Sequence, residues 1–138
     1  MAHSMICEIV APDQMLYSGE VEFVSAPASE GEIGFMFLCA PFMSTLRQGV
    51  IRLRETDSSG DPRCFAVAGG YVEADGRKVV VLASRAIDVA QIDTSISSDR
   101  IAANQARLAE LSDDDSRATF VRQEIEWQQH LIKVKSAN

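Results

Sequence analysis

Cysteine is scarce in this chain. Cys7, Cys39 and Cys64 are an odd, widely scattered set with no CxxC spacing, which argues against a disulfide framework and against a zinc site. Histidine is scarcer still. With only His3 and His130 present, a nucleophile such as Cys39 has almost no base to pair with. Basic residues are outnumbered, 13 Lys and Arg against 20 Asp and Glu, for a net charge of −7. Phosphate backbones and anionic membranes repel such a chain, and no basic stripe interleaved with aromatics offsets that repulsion. No apolar run approaches the ~20 residues that cross a bilayer. Met1-Ala2-His3-Ser4 has no apolar stretch to make a secretion signal and reads as an appended remnant, so the expectation is a cytosolic protein. Phosphate-cradling loops are missing too: Gly69-Gly70 lies between strand-like segments, and no P-loop lysine motif occurs. The expectation is therefore no catalytic residue, no metal and no cofactor.

What is present changes character along the chain. A hydrophobic fraction of 46% over 138 residues supplies the core of one domain, with room for a small appendage. Segments 6–10, 21–26, 50–55, 64–68, 71–74 and 78–83 are short runs rich in Val, Ile and aromatics, separated by turn residues, the pattern of an antiparallel sandwich or barrel. Asp75-Gly76 predicts a type I′ turn that pairs 72–74 with 78–80. Gly69-Gly70 predicts a bulge or sharp bend. After Gly76 neither glycine nor proline occurs, and from about Ile87 helix formers dominate. Ile101, Asn104, Leu108 and Leu111 share one helical face. Ser112 to Asp115 resembles a capping box, and a second helix follows with Phe120, Val121, Ile125, Trp127, Leu131, Ile132 and Val134 apolar. The short break predicts an antiparallel two-helix hairpin, making an α+β chain.

Between those parts lies EGEIGFMFLCAPFM, from Glu30 to Met43. A glycine-rich corner runs straight into an apolar stretch, which is either a buried strand or a sticky loop that a partner covers.

Several stretches together resemble the epsilon subunit of the F-type ATP synthase. They are Val10-Ala11-Pro12-Asp13, Leu16-Tyr17-Ser18-Gly19-Glu20-Val21, Glu30-Gly31-Glu32-Ile33-Gly34, Ala40-Pro41, Gly49-Val50-Ile51-Arg52, Gly69-Gly70-Tyr71-Val72-Glu73 and Val79-Val80-Val81-Leu82-Ala83. The resemblance holds in order and spacing over residues 6–86; beyond them only the helical layout matches. It implies an N-terminal antiparallel β-sandwich over 5–87, contacting the gamma subunit and the c-ring, and a regulatory helical hairpin over 88–138, with residues 1–4 outside the fold. It implies a non-catalytic central-stalk subunit of a proton-translocating synthase. Such a subunit is peripheral on the cytoplasmic face of the bacterial inner membrane and touches the membrane only through the complex. Its hairpin can extend toward the beta subunit and restrain ATP hydrolysis.

The resemblance also assigns contacts. The corner, with Glu30, Gly31, Glu32, Phe37, Leu38, Cys39 and Phe42, faces the c-ring and gamma, with Phe35 packed inward. Arg117 and Arg122 are the expected contacts with an acidic segment of beta. Two departures carry expectations of their own. The family usually reads Pro-Gly-His where this chain has Phe37-Leu38-Cys39. A left-handed leucine costs ~1–2 kcal/mol, so the turn is expected to change shape. Some members bind ATP with a stretch like Ile-Asp-x-x-Arg-Ala; the match taken here, Ile96-Ser97-Ser98-Asp99-Arg100-Ile101, loses the aspartate and the alanine, so nucleotide binding is expected to be weak or absent. The rival readings are a stand-alone scaffold module and, more remotely, a hydrolase using Cys39.

Overall fold

The structure, a computed structural model, describes residues 3–137. Met1, Ala2 and Asn138 lie outside the described residues, and with them half of the segment read as an appended remnant. One compact unit runs to Val89 and a second begins at Ala90.

The first unit contains β1 (Met5–Ala11), β2 (Gln14–Ala28), β3 (Gly31–Met36), β4 (Phe42–Leu46), β5 (Gly49–Glu55), β6 (Arg63–Val67), β7 (Gly70–Ala74), β8 (Lys78–Ala83) and β9 (Ala86–Asp88). Strand β2 is long enough to serve two layers. Its first half pairs with β1, Met5↔Val21 through Ala11↔Gln14. Its second half is flanked by β3 and β5. One layer is therefore β2-β1-β8-β7-β4 and the other β3-β2-β5-β6-β9. The pairing is antiparallel except between β1 and β8, which run parallel. Period-two alternation points Met5, Cys7 and Ile9 of β1, and Val79, Val81 and Ala83 of β8, into a core with Phe35, Ile51, Leu53 and Phe65.

Turn chemistry sets the register. The hairpin expected at Asp75-Gly76 forms, but its central pair is Gly76-Arg77, closed by Asp75 N donating to Lys78 O at 3.1 Å. Gly76 has φ +89 and Arg77 is not positive, the pattern of a type II′ turn rather than the expected I′. The Asp75 side chain explains the shift: its Oδ1 accepts from the backbone N–H of Arg77 at 2.9 Å and of Lys78 at 2.8 Å. Those bonds hold its carboxyl below the usual carboxylate range. Gly70 sits at φ +128, and a Cβ there would lie 2.0 Å from the Leu82 carbonyl oxygen. Close approach between β7 and β8, not merely a bend, is why that residue has no side chain.

The second unit is α1 (Thr94–Ala109) and α2 (Ser116–Ala137), packed on each other. Asp93 caps α1: its Oδ1 accepts from Ser95 N at 2.9 Å, Ile96 N at 3.4 Å and Ser95 Oγ at 2.6 Å. The expected capping box at Ser112 is corrected. The side chain that caps α2 is Asp115, whose Oδ1 accepts from Arg117 N at 2.9 Å, immediately before the helix starts at Ser116. Ile101, Asn104 and Leu108 are half-buried along α1, Leu111 falls after its end, and Phe120 points outward at 75% exposure.

Candidate partner-binding surfaces

The apolar stretch after the glycine corner is strand, turn and strand. β3 ends at Met36, and Cys39 N donates to Met36 O at 3.0 Å, closing a β-turn with Phe37 and Leu38 at its centre. Leu38 has φ +63. Leu38 therefore takes the left-handed conformation and bears its cost of ~1–2 kcal/mol. Backbone geometry overrides the side-chain preference: Leu38 N donates to Gly76 O at 2.7 Å, so the turn is tied to the β7–β8 hairpin. Gly76 is buried there, and a Cβ on it would lie 2.8 Å from Cys39 O and 3.1 Å from Leu38 Cα.

The side chains divide as the stretch turns. Phe35 is buried at 1% exposure, with the Phe42 ring 5.8 Å from its own. Phe37 is half-buried, with the His3 ring at 5.6 Å and the Arg77 guanidinium at 5.9 Å. Leu38 stands out at 65% exposure, between the outward Met36 and Met43. Cys39 and Phe42 are half-buried, Gly31 adopts φ +139, and Glu30 and Glu32 are exposed. The two carboxylates rim a groove of about 430 Å³ whose apolar wall is Ile33, Phe42 and Met43.

A second surface was not singled out from sequence. On the outer face of the β1-containing layer, Met15, Val10, Leu82 and Tyr71 are successive cross-strand neighbours on β2, β1, β8 and β7. Met15, Leu82 and Tyr71 are each more than half exposed, and Met43 on β4 lies diagonal to Tyr71. The available signal was apolar residues at the outward positions of alternating strands. It becomes a patch only through pairing between distant segments. Contiguous exposed apolar residues of this kind mark interaction sites.

On the hairpin, the two expected cations are already engaged. Arg117 holds Asp115 through Nε at 3.1 Å and Nη2 at 2.7 Å, and Arg122 reaches Asp113 at 3.3 Å. Side-chain hydrogen bonding from Arg117, with its backbone N–H, holds the Asp115 carboxyl down to about 2. A groove of about 320 Å³ between the helices is lined by Arg117 together with Arg107, Asn104 and the exposed Phe120. The nucleotide pattern has a second partial match, Ile92-Asp93-Thr94-Ser95-Ile96-Ser97, which keeps the aspartate; here the Asp93 carboxylate is the α1 cap, and Ile96 and Ser97 stand where the pattern has Arg and Ala. Among the described residues no cluster of three or more His, Cys, Asp or Glu could hold a metal. Cys7 lies in the core, and burial pushes its thiol up to about 12.

The comparisons with known proteins bear on these surfaces. Residues 4–89 match the family profile described as the ATP synthase delta/epsilon chain beta-sandwich domain. The chain is 36% identical over 118 residues to the ATP synthase epsilon chain of Parvibaculum lavamentivorans, covering 85% of this chain and 87% of that one. It is 31% identical over 137 residues to that of Desulforamulus reducens, covering 99% of both. A chain of the Euglena gracilis mitochondrial ATP synthase OSCP/F1/c-ring structure shares the fold, with TM-score 0.74 at 15% identity over 97% of this chain and 82% of that one. By its profile match and by its identity across most of its length, the chain belongs to the ATP synthase epsilon-chain family, a non-catalytic subunit of that complex.

Proposed function

We propose that this chain is a central-stalk subunit of a proton-translocating F-type ATP synthase. Its sandwich, residues 5–87, ties gamma to the c-ring, and its hairpin, residues 88–138, restrains ATP hydrolysis. The observation that carries the reading is the corner. The tie to Gly76 imposes a left-handed backbone that costs a leucine ~1–2 kcal/mol; the isolated domain would be served better by glycine there, and strain kept for an exposed side chain collects at functional sites. Glu30, Gly31, Glu32, Phe37, Leu38, Cys39 and Phe42 form the lip that meets the c-ring and gamma. The Met15–Leu82–Tyr71–Met43 face extends the gamma contact. The likeness to chains of a mitochondrial OSCP/F1/c-ring structure and of the Tetrahymena thermophila central stalk and c-ring supports the fold this reading requires.

Mechanically the sandwich is a clamp. Torque passes through it only if both faces stay packed, and a rigid two-layer sheet meets that demand better than a loop. The hairpin is a brake that adopts two packings differing by a few kcal/mol, so that rotation, nucleotide or ion gradient can bias it. Arg117 and Arg122 contact an acidic segment of beta. They must first exchange Asp115 and Asp113 for it, and Arg107 and Phe120 in the same groove supply further charge and apolar area. No helix among the described residues is long and apolar enough to cross a membrane, and the chain is peripheral on the cytoplasmic face through its partners.

The experiment is binding to gamma, followed by addition to an epsilon-depleted catalytic complex. Binding with reduced ATP hydrolysis is expected, and charge reversal at Arg117 and Arg122 together is expected to relieve it. Binding without inhibition removes the brake. No binding to gamma leaves the scaffold reading in its place.

A further inference from the structure

We propose that the Arg63–Asp88 ion pair is a latch that decides where the hairpin unit is hinged. The proposal rests on the preceding reading, in which the hairpin moves. Strand β9 is three residues long and is held by pairing with β6: Phe65↔Asp88, Ala66↔Ile87 and Val67↔Ala86. A strand so short at a sheet edge opens at little local cost. Immediately after it come the turn Val89–Gln91 and the α1 cap at Asp93, and the two compact units divide between Val89 and Ala90. Anything that swings the hairpin therefore pulls on the last residues of β9.

The ladder is reinforced at that end. Arg63 Nη2 lies 2.8 Å from Asp88 Oδ2. The Arg63 guanidinium is not a wandering surface cation, because its carbon sits 5.1 Å from the Tyr17 ring centroid and 5.3 Å from that of Phe65. Both rings are buried and lie 5.9 Å apart. Two aromatic faces orient the guanidinium before the carboxylate arrives, which removes much of the ordering cost that makes most exposed pairs weak. The Asp88 side chain is only 18% exposed, so the pair is shielded on one side from solvent and salt.

Two linker lengths follow. With the latch closed, the hinge lies within 89–93. With it open, β9 peels and adds its three residues, about 10 Å of reach at ~3.3–3.6 Å per extended residue. The latch thus sets both the reach of the hairpin and the threshold for releasing it.

The test is amide hydrogen exchange on the full chain, comparing the wild type with Asp88→Asn, Arg63→Gln and the double variant. Exchange at residues 86–88, and at the β6 amides that face them, is expected to quicken about fivefold to tenfold in each single variant, with no further gain in the double, while β1 to β5, β7 and β8 keep their protection. Unchanged exchange at 86–88 in both single variants would overturn the latch. So would a loss of protection throughout the sandwich, or single effects that simply add. The same variants are then added to the epsilon-depleted complex. Where the wild type restrains hydrolysis, Asp88→Asn is expected to change that restraint twofold or more with gamma binding unaltered; identical restraint despite faster exchange would overturn the regulatory role. If the wild type itself fails to restrain hydrolysis, the preceding reading fails, and the exchange data still decide whether the latch exists.

Discussion

Replacing Leu38 reverses an ordinary rule of protein stability. At most positions glycine is less stable than alanine by about 0.5–1 kcal/mol, because it gives up more chain entropy on folding. Leu38 sits at φ +63, where an L-residue costs ~1–2 kcal/mol and glycine does not. Subtracting the entropy from the relieved strain leaves Leu38→Gly more stable than Leu38→Ala by about 0.5–1 kcal/mol. Comparing the two variants cancels the lost leucine side chain, whose contribution is small at 65% exposure. Urea melts of the sandwich read the difference directly, and a thermal scan should show it as a shift of about 2–8 °C. Leu38→Ala as stable as Leu38→Gly, or more stable, would refute the claim that the turn is strained. The companion measurement is binding to the c-ring. If Leu38 is kept for contact, Leu38→Gly gains stability relative to alanine and still binds more weakly than the wild type.

Further outcomes follow from the same geometry. Gly70→Ala is expected to cost at least about 3 kcal/mol or to prevent folding, since no rotamer moves a Cβ away from the Leu82 carbonyl oxygen; a melt like the wild type's would refute that close approach. The Asp115 carboxyl, at about 2 when folded, lies below its ordinary value of about 3.9. Its contribution to the start of α2 is therefore present above about pH 4 and is lost as pH falls toward 2. An NMR titration placing Asp115 at its ordinary value would contradict the cap. Calorimetry is expected to show no saturable ATP binding by the isolated chain at physiological concentrations, and a saturable isotherm would show that Ile96 and Ser97 do not prevent it.

The corner illustrates how far the chain's letters carry. From the residues alone the stretch read equally as a buried strand or a covered loop; Phe35 facing inward with an apolar lip beyond it came from the family resemblance. The left-handed Leu38 was readable from neither, because its cause is Gly76 on another hairpin. Similarly, Asp75-Gly76 announced a turn, but which pair became central depended on the Asp75 carboxylate capturing two backbone N–H groups. Arg117 and Arg122 were legible as cations on a helix, and their pairing with Asp115 and Asp113 was not, since that depends on how the loop before α2 folds back.

By itself the sequence determined the division into a β part and a helical part, because the loss of glycine and proline after Gly76 and the switch from period two to period 3.6 are local properties of the chain. It also determined the family, through the order of its turn and strand stretches. Only the tertiary structure decided that β2 serves both layers, that β1 runs parallel to β8, and that Met15, Leu82 and Tyr71 form one surface. It alone placed Arg63 between two rings and beside Asp88. Each of these depends on register between segments far apart in the chain, and register is an outcome of packing the whole core that no local pattern encodes.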